Sequence, residues 1–404
     1  MNEFLKLLAL NVLFVSSSCK QEFTEGFENK VASSKTEIGI MSVANLTIET
    51  GMTLAQMNSV IAAANAGDTV WVEAGTYYIP SGKIVMKSGV TLQRKTAVNP
   101  IFDGTSVANG MLTMSYYTGQ IDNCLIRGIT FHNIRFNINS AQNLRFMYCD
   151  FDYGKRPSGT DKNFYQDAYI QLTGTDSAVV DNCNFYRRSG NSGRAIWNTS
   201  ATNSKIINND IGDGGSLGYF VTGINESLTN NTIIQANKIK RNPALNTDDA
   251  QTDHGIYAHS FDQVLIKYNT ISGWPPNASG GSVKARNGQN ISIFGNNMTG
   301  SGVLLYEYSG STSPFLKYVD VSYNTIDITT NVNDIYHGIG YWRNNATDME
   351  YSIRITHNKM PNGTINFIGT NLDVSNFNAS SGGVFDNDMG ILNIKTGINN
   401  SGNF

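Results

Sequence analysis

The chain has 404 residues, a formal net charge of −3 and only 15% charged residues. This length can bury a large core, and the near-neutral charge argues against a nucleic-acid partner, because nucleic-acid-binding proteins usually carry a strongly basic surface. An acidic ligand is still allowed, since a local basic patch can lie on a neutral protein. Abundant Gly, Asn, Ser and Thr favour an all-β protein with many turns, and no apolar run reaches the ~18 residues of a membrane span.

The first residues have the pattern of an export signal. A lysine and a mainly apolar run over residues 7–15 precede three serines and Cys19. Residues 1–19 resemble a bacterial lipoprotein signal, in which the cysteine becomes lipidated. Residues 20–42 lack periodicity and predict a flexible tether. We therefore expect a catalytic domain over residues 43–404 that is exported and held at an outer membrane or cell surface through Cys19, with a periplasmic or secreted protein as the alternative.

An amphipathic helix is predicted at the start of this domain. Thr53 can cap a helix that runs through Ala64, and Gly67 ends it. A strand through Val70 and Val72 follows. Because the open end of a stack of strands exposes unpaired backbone groups, we expect this helix to cover the first coil of the fold.

An element of the form I-x-x-N-x-I recurs down the rest of the chain. Its period of roughly 20–34 residues, with short strands and no long helical pattern, is typical of stacked-coil folds. The sequence therefore predicts an all-β, single-domain, right-handed parallel β-helix of about ten or more coils. Stacked asparagine amides can hydrogen-bond along its axis. The repeated asparagines are Asn209, Asn237, Asn269, Asn296, Asn324, Asn358 and Asn387, and Ile129, Cys149 and Cys183 take their place in earlier coils.

A second strand of each coil lies twelve residues before the repeated position. The residue just before each aligned position is aliphatic, which predicts an inward row beside an outward row. On this alignment Lys284 lies one coil from Tyr257, and Arg286 lies one coil from His259. Glu226 would point inward, so we expect its strand to end early. The inward row is Ile170, Ile196, Ile224, Ile256 and Val283, and the outward row is Gln171, Trp197, Asn225, Tyr257 and Lys284.

Cations and aromatic residues cluster around the sequence SVKARNG, which contains Lys284 and Arg286. The two cations are two residues apart on a strand, so they face the same side. The next coil reads GVLLYEYSG and should lie beside them, and HGIGYWRNN follows it. Aromatic side chains beside cations predict a sugar-binding groove. The candidate substrate-binding residues are Asn225, His254, Tyr306, Glu307, Tyr308, Tyr341, Trp342, Arg343 and Trp197.

The chain resembles the parallel β-helix polysaccharide lyases, especially the alginate lyases and chondroitinase-B-like enzymes. The resemblance spans roughly residues 45–390 and is sharpest at AGDTVWVEAGTYYI and SVKARNG. It implies β-elimination, in which a Lys or Tyr removes the proton beside a uronate carboxylate and a second group protonates the leaving oxygen. Calcium-dependent members carry acidic residues on the catalytic-lysine strand. Residues 279–283 contain none here, so we expect a site without metal or cofactor.

The residues themselves favour the same roles. Like charge from Arg286 should lower the pKa of Lys284, and the neighbouring cations should make Tyr257 easier to deprotonate. We expect Lys284 to be the base and Tyr257 the acid, with the reverse order open. The substrate carboxylate would be neutralised by Arg286, His259 or Asn225. The expected partner is an acidic polysaccharide, with alginate favoured, bound by a monomer.

Three other functions stay open. A pectin-type glycoside hydrolase could use Asp248, Asp249 and Asp253 of NTDDAQTDH, because hydrolysis of a glycosidic bond needs two carboxylates. A polymannuronate C5-epimerase would share the proton abstraction but return the proton. A non-catalytic glycan-binding or adhesion solenoid would need no acid–base pair.

Overall fold

The computed structural model describes residues 46–79, 82–105, 112–116, 121–152, 168–186, 190–191, 193–212, 218–241, 254–274, 281–308, 310, 315–328, 338–343, 353–368, 382–393 and 400–403. The predicted signal and tether, with Cys19, lie outside these residues, as do Asp248, Asp249 and Asp253. Within the described ranges, no helix is long and apolar enough to cross a membrane.

The described part of the chain contains one helix, Leu54–Ala63. Its N-terminus is a capping box, because Thr53 Oγ1 accepts the backbone N–H of Gln56 while Gln56 Oε1 accepts the backbone N–H of Thr53. Met57 and Ile61 are buried in the same core as the strands. The predicted cap residue is confirmed, and the helix ends one residue before the predicted Ala64.

Nearly all strands pair in parallel with the equivalent strand one coil earlier and one coil later. These pairings form three stacks, so the chain is a right-handed parallel β-helix, as predicted. The first stack contains Thr47–Ile48, Thr69–Val72, Thr91–Arg94, Leu125–Arg127, Arg145–Met147, Val179–Asp181, Lys205–Ile207, Asn230–Gln235, the second halves of His254–Lys267 and Gly281–Phe294, Leu316–Ser322, Ile353–Thr356, Gly383–Phe385 and Asn400–Ser401.

The second stack follows the first after a short corner in each coil. It contains Thr76–Tyr78, Ile101–Asp103, Thr130–His132, Asp150–Asp152, Asn184–Phe185, Asp210–Ile211, Lys238–Lys240, Thr270–Ser272, Asn297–Thr299, Thr325–Asp327 and the first parts of Lys359–Ile368 and Asp388–Asn393.

The third stack carries the predicted site. It contains Leu112–Tyr116, Ile134–Asn139, Ala168–Thr173, Arg194–Thr199, Thr222–Ser227, the first halves of His254–Lys267 and Gly281–Phe294, Val303–Glu307, Gly338–Arg343 and the second parts of Lys359–Ile368 and Asp388–Asn393. A separate pair joins Gly190–Asn191 to Gly218–Tyr219. We call His254–Lys267 the Tyr257 strand and Gly281–Phe294 the Lys284 strand.

The repeated asparagines form a continuous buried ladder at the corner between the first and second stacks. Asn209 Nδ2 donates to Asn237 Oδ1 at 2.9 Å, and Asn237 Oδ1 also accepts the backbone N–H of Asn209 at 3.0 Å. This pattern satisfies buried polar groups on both coils. The predicted ladder is confirmed, and Asn403 extends it. The amide-to-amide distance is again 2.9 Å for each step through Asn269, Asn296, Asn324, Asn358, Asn387 and Asn403.

The predicted alignment of the third stack is also confirmed. Tyr257 pairs with Lys284, and His259 pairs with Arg286. The expectation that the Glu226 strand ends early is wrong, because the strand continues through Ser227 with Glu226 fully buried. Asn198 Nδ2 donates to its carboxyl group at 3.0 Å, and burial raises the pKa of Glu226 to about 8. The inward row runs as predicted through Ile170, Ile196, Ile224, Ile256 and Val283, and continues to Val303 and Ile339.

Candidate active site

The candidate site lies on the outward side of the third stack, where neighbouring coils are about 4.8 Å apart. We call this surface the site face, from the Arg194–Thr199 strand to the Gly338–Arg343 strand. Side chains stand on it in two rows parallel to the helix axis. The first row is Trp197, Asn225, Tyr257, Lys284 and Leu304. The second row is His259, Arg286, Tyr306 and Trp342.

Lys284 lies deep in the first row and is only 7% exposed. Its Nζ is 5.7 Å from the ring centroid of Tyr257 and 4.9 Å from that of Tyr306. Burial, followed by the like charge of Arg286, lowers the pKa of Lys284 from 10.5 to about 8. A lysine with this pKa supplies a useful fraction of neutral amine near neutral pH, which is what a general base requires.

Tyr257 is held next to Lys284 by its neighbour in the second row. Arg286 Nη1 donates to Tyr257 Oη at 3.0 Å. The pKa of Tyr257 is nevertheless raised, because burial outweighs the charge of Arg286. The expectation that Tyr257 would be easier to deprotonate is therefore wrong. Its phenol keeps its proton through the neutral range and can still donate it to another acceptor.

Two histidines flank Tyr257, with ring centroids 4.8 Å away for His254 and 5.1 Å away for His259. Burial and then the charge of Arg286 lower the pKa of His259 to about 4. Burial and then the charge of Lys284 hold the pKa of His254 well below its ordinary value. Both rings are therefore neutral at pH 7. His259 can offer a hydrogen bond to a substrate carboxylate but no positive charge.

Asn225 fills the first row one coil before Tyr257. It is 2% exposed, and its Nδ2 donates to the backbone carbonyl oxygen of Tyr257 at 3.1 Å. The amide thus supports the backbone of the Tyr257 strand. This geometry favours a positioning role over the predicted neutralisation of a carboxylate.

Aromatic rings line the groove on the other side of Arg286. Tyr306 pairs with Arg286 and packs against Trp342 at 5.1 Å between ring centroids. Arg286 Cζ lies 4.2 Å from the ring centroid of Tyr308, which is 37% exposed. These three aromatic residues reach the surface beside the cations as expected, and their role in substrate binding stays a prediction.

The expectation that Glu307 and Tyr341 face the groove is wrong. Each is fully buried, and Tyr341 Oη donates to Glu307 Oε2 at 3.3 Å in the interior. The reason is the alternation of the strands, because Tyr341 pairs with inward-facing Leu305 and Glu307 follows the outward Tyr306. Arg343 ends its strand, and its side chain lies outside the described atoms.

Arg194 is a residue of the site face that sequence reasoning missed. Its Cζ lies 4.4 Å from the ring centroid of Trp197, and its charge contributes to lowering the pKa of both histidines. Strict alternation hides it, because Arg194 and Trp197 are both half-buried and outward although their offset of three positions would place them on opposite faces of a regular strand. A signal was present, since Arg194, Thr222 and His254 align three residues before the outward row.

The described residues include no group of three or more His, Cys, Asp or Glu side chains arranged to hold a metal ion. The expectation of a metal-independent site stays a prediction.

Comparisons with known proteins agree with this fold. A family model described as "Right handed beta helix region" matches residues 160–326. No curated protein matches the chain. A structure of PfbA, a surface adhesin of Streptococcus pneumoniae, is 14% identical, with a TM-score of 0.55 and coverage of 89% of this chain and 92% of the adhesin.

Two further solved structures have lower TM-scores. The polygalacturonase from Erwinia carotovora ssp. carotovora is 11% identical, with a TM-score of 0.49 and coverage of 92% of this chain and 100% of that chain. The alginate lyase AlyF-OU02, in complex with G6, is 12% identical, with a TM-score of 0.48 and coverage of 93% and 86%. The strand stacks therefore define the fold class as a right-handed parallel β-helix, and the family match over residues 160–326 agrees with it.

Proposed function

We propose that the chain is a polysaccharide lyase that cleaves a uronate-containing polymer, with alginate as the favoured substrate, by β-elimination. The observation that carries this proposal is the pair formed by Lys284 and Tyr257 on adjacent coils. The pKa of the lysine is lowered to about 8 while that of the tyrosine is raised. Two neighbouring groups with pKa values shifted in these directions are suited to act as base and acid.

In the first step, the neutral amine of Lys284 takes the proton from the carbon next to the uronate carboxylate. The electron pair left on that carbon spreads into the carboxylate as an enediolate. Arg286 is the cation beside Lys284 and Tyr257, so it stabilises this developing negative charge. His259 is neutral and can add one hydrogen bond.

In the second step, the enediolate electrons form the carbon–carbon double bond and the bond to the glycosidic oxygen breaks. Tyr257 gives its proton to that leaving oxygen, and the hydrogen bond from Arg286 stabilises the phenolate that remains. Water returns a proton to Tyr257, and Lys284 releases the proton that it took. The products are an unsaturated uronate and a chain with a new hydroxyl end.

The site favours elimination over the alternatives for separate reasons. The two described rows of the site face present no carboxylate outward, whereas hydrolysis needs two. A binding surface such as an adhesin needs no deeply buried lysine with a lowered pKa. An epimerase shares the first step, and it differs in returning the proton to carbon instead of the leaving oxygen.

Incubation of the purified protein with alginate, pectate and glycosaminoglycans tests the proposal. The rise of ultraviolet absorbance from unsaturated uronate and the release of reducing ends are followed together. We expect both signals to grow on at least one polymer, and first on alginate. Reducing ends without absorbance would indicate a hydrolase. A change of uronate configuration without cleavage would indicate an epimerase, and the absence of all three would leave a binding protein.

We also propose that the protein is exported and lipidated at Cys19. The lysine, apolar run and serines that precede this cysteine support the proposal. Metabolic labelling with a fatty-acid analogue should tag the wild type and not Cys19→Ala. Equal labelling of both proteins would contradict lipidation at this residue.

A further inference from the structure

A second cationic feature lies on the site face, away from Lys284. Trp197 is in the same row as Tyr257 and Lys284 but two coils before Tyr257 and three before Lys284. These intervals correspond to about 10 Å and about 14 Å along the axis. A single sugar ring therefore cannot contact Lys284 and Trp197 together, whereas an oligosaccharide running along the axis can.

The side chains of Arg194 and Trp197 hold each other in place. The guanidinium carbon lies 4.4 Å from the indole centroid, a cation–π geometry. Trp197 Nε1 is buried and has no hydrogen-bond partner among the described protein atoms. A buried donor without a partner is costly, and an oxygen of a ligand would satisfy it. A planar guanidinium next to a free N–H suits a carboxylated sugar, because arginine binds carboxylates with paired N–H groups.

The floor between the two cationic positions is uncharged at neutral pH. It is formed by Asn225 and by His254, whose pKa is held well below its ordinary value. His254 Nδ1 also has no hydrogen-bond partner among the described protein atoms. The described side chains of the site face thus place Lys284 and Arg286 at the reacting position and Arg194 beyond a neutral polar stretch.

The opposite end of the groove differs in chemistry. Beyond Lys284 and Arg286, the outward residues Leu304, Tyr306 and Trp342 are uncharged and pack into one apolar cluster. The described site face is thus cationic and polar toward the earlier coils and aromatic toward the later coils. Among the described side chains of the site face, Arg194 is therefore the second charged contact for a polymer with a carboxylate on every sugar.

We propose that Arg194 and Trp197 form a subsite that binds the carboxylate and ring of a second uronate residue, separated from the cleaved bond along the helix axis. This inference rests on the proposed function and adds the direction of the substrate and a length requirement. Short oligosaccharides that occupy only the reacting position would not reach Arg194, while longer ones would. Arg194 would then govern the preference for long substrates without touching the reacting atoms.

The test measures kcat/KM for a trisaccharide and a hexasaccharide of the uronate polymer that the wild type cleaves. Arg194→Ala should lower kcat/KM for the hexasaccharide about 10-fold, the loss of one charge-assisted hydrogen bond, and leave the trisaccharide within about 2-fold. Arg194→Lys keeps a positive charge without the planar guanidinium. Its kcat/KM for the hexasaccharide should therefore lie between those of the wild type and Arg194→Ala. Arg145→Ala, an exposed arginine of the first stack, is the matched control and should change neither value.

Equal effects of Arg194→Ala on both oligosaccharides, or no effect on either, would overturn the subsite. If Arg194→Ala does not fold, as judged by its circular dichroism and melting, Arg194→Lys alone carries the same comparison. Wild-type protein that cleaves no uronate polymer would instead refute the proposed function. If the wild type cleaves the polymer but the effect of Arg194→Ala does not depend on the length of the oligosaccharide, only the subsite is refuted.

Discussion

The asparagine ladder and the site face are made by the same repeat but behave in opposite ways. In the ladder, one residue type recurs and each amide hydrogen-bonds to the next at 2.9 Å. On the site face, equivalent positions hold Trp197, Asn225, Tyr257 and Lys284. A solenoid can therefore obtain its stability from positions that repeat and its chemistry from positions that do not.

The two regions also differ in how burial is compensated. Ladder amides are buried with their partners, so burial strengthens the fold. Burial of Lys284, His259 and His254 instead shifts their pKa values away from the charged form. Substitutions in the site face should therefore affect activity more than stability, and substitutions in the ladder should do the reverse.

The largest expected effect is that of Lys284→Ala on activity. Loss of the base should lower the initial rate of unsaturated-uronate formation by about 10³-fold or more, in the upper part of the range for general base catalysis. The melting temperature should stay close to that of the wild type. Lys267→Ala, on the same long strand as Tyr257 but outside the site face, is the control and should keep full activity. Activity of Lys284→Ala within about 10-fold of the wild type would show that Lys284 is not the catalytic base.

A smaller loss of activity is expected for Tyr257→Phe. Removal of the phenol takes away the proton for the leaving oxygen and the acceptor of Arg286, so the rate should fall about 10²-fold. Exposed Tyr268 supplies the control Tyr268→Phe. The comparison uses steady-state rates on the same polymer. A wild-type rate in Tyr257→Phe would exclude Tyr257 as the acid.

The ladder should respond in stability instead. Asn296→Ala removes a residue that accepts from Asn269 and donates to Asn324, and it leaves buried groups on both coils unsatisfied. We expect the free energy of unfolding in urea to fall by about 2–4 kcal/mol. Asn403→Ala, at the partly buried end of the ladder, should cost less. Equal losses for the two variants would show that the ladder does not act as a continuous unit.

The smallest expected effect concerns the dependence of stability on pH near Glu226. Its pKa rises from 4.5 to about 8 on folding, so its stabilising contribution is complete below pH 4.5 and is lost as pH rises through 8. Glu226→Gln should therefore lose less stability than the wild type between pH 5 and pH 8, with a difference of about 1–3 kcal/mol. Urea unfolding at a series of pH values measures it. Parallel curves for the two proteins would contradict a raised pKa.

Much of the fold could be predicted because the repeat fixes the register. The offset of twelve residues in the sequence aligns Tyr257 with Lys284 and His259 with Arg286, and the strand pairing is the same. The alignment fails one coil later, because residues 308–315 separate Val303–Glu307 from Leu316–Ser322, whereas the Lys284 strand continues unbroken from the third stack into the first. Glu307 is for this reason predicted in the groove, whereas it lies in the interior.

The electrostatics of the site could be predicted only in part. The lowered pKa of Lys284 follows from Arg286, which the sequence reveals, but burial is the larger cause. For Tyr257 burial reverses the effect expected from the neighbouring cations. The sequence identifies neighbours along a strand, whereas the depth of a side chain depends on the coils around it.

The pH dependence of kcat/KM for the wild type on its uronate polymer tests the assignment of Lys284 as base most directly. The value should rise as pH passes through about 8, where Lys284 loses its proton, and fall only at high pH, where Tyr257 loses its own. A rate that rises through the ordinary histidine range near pH 6.5 and stays flat above it would contradict Lys284 as the base.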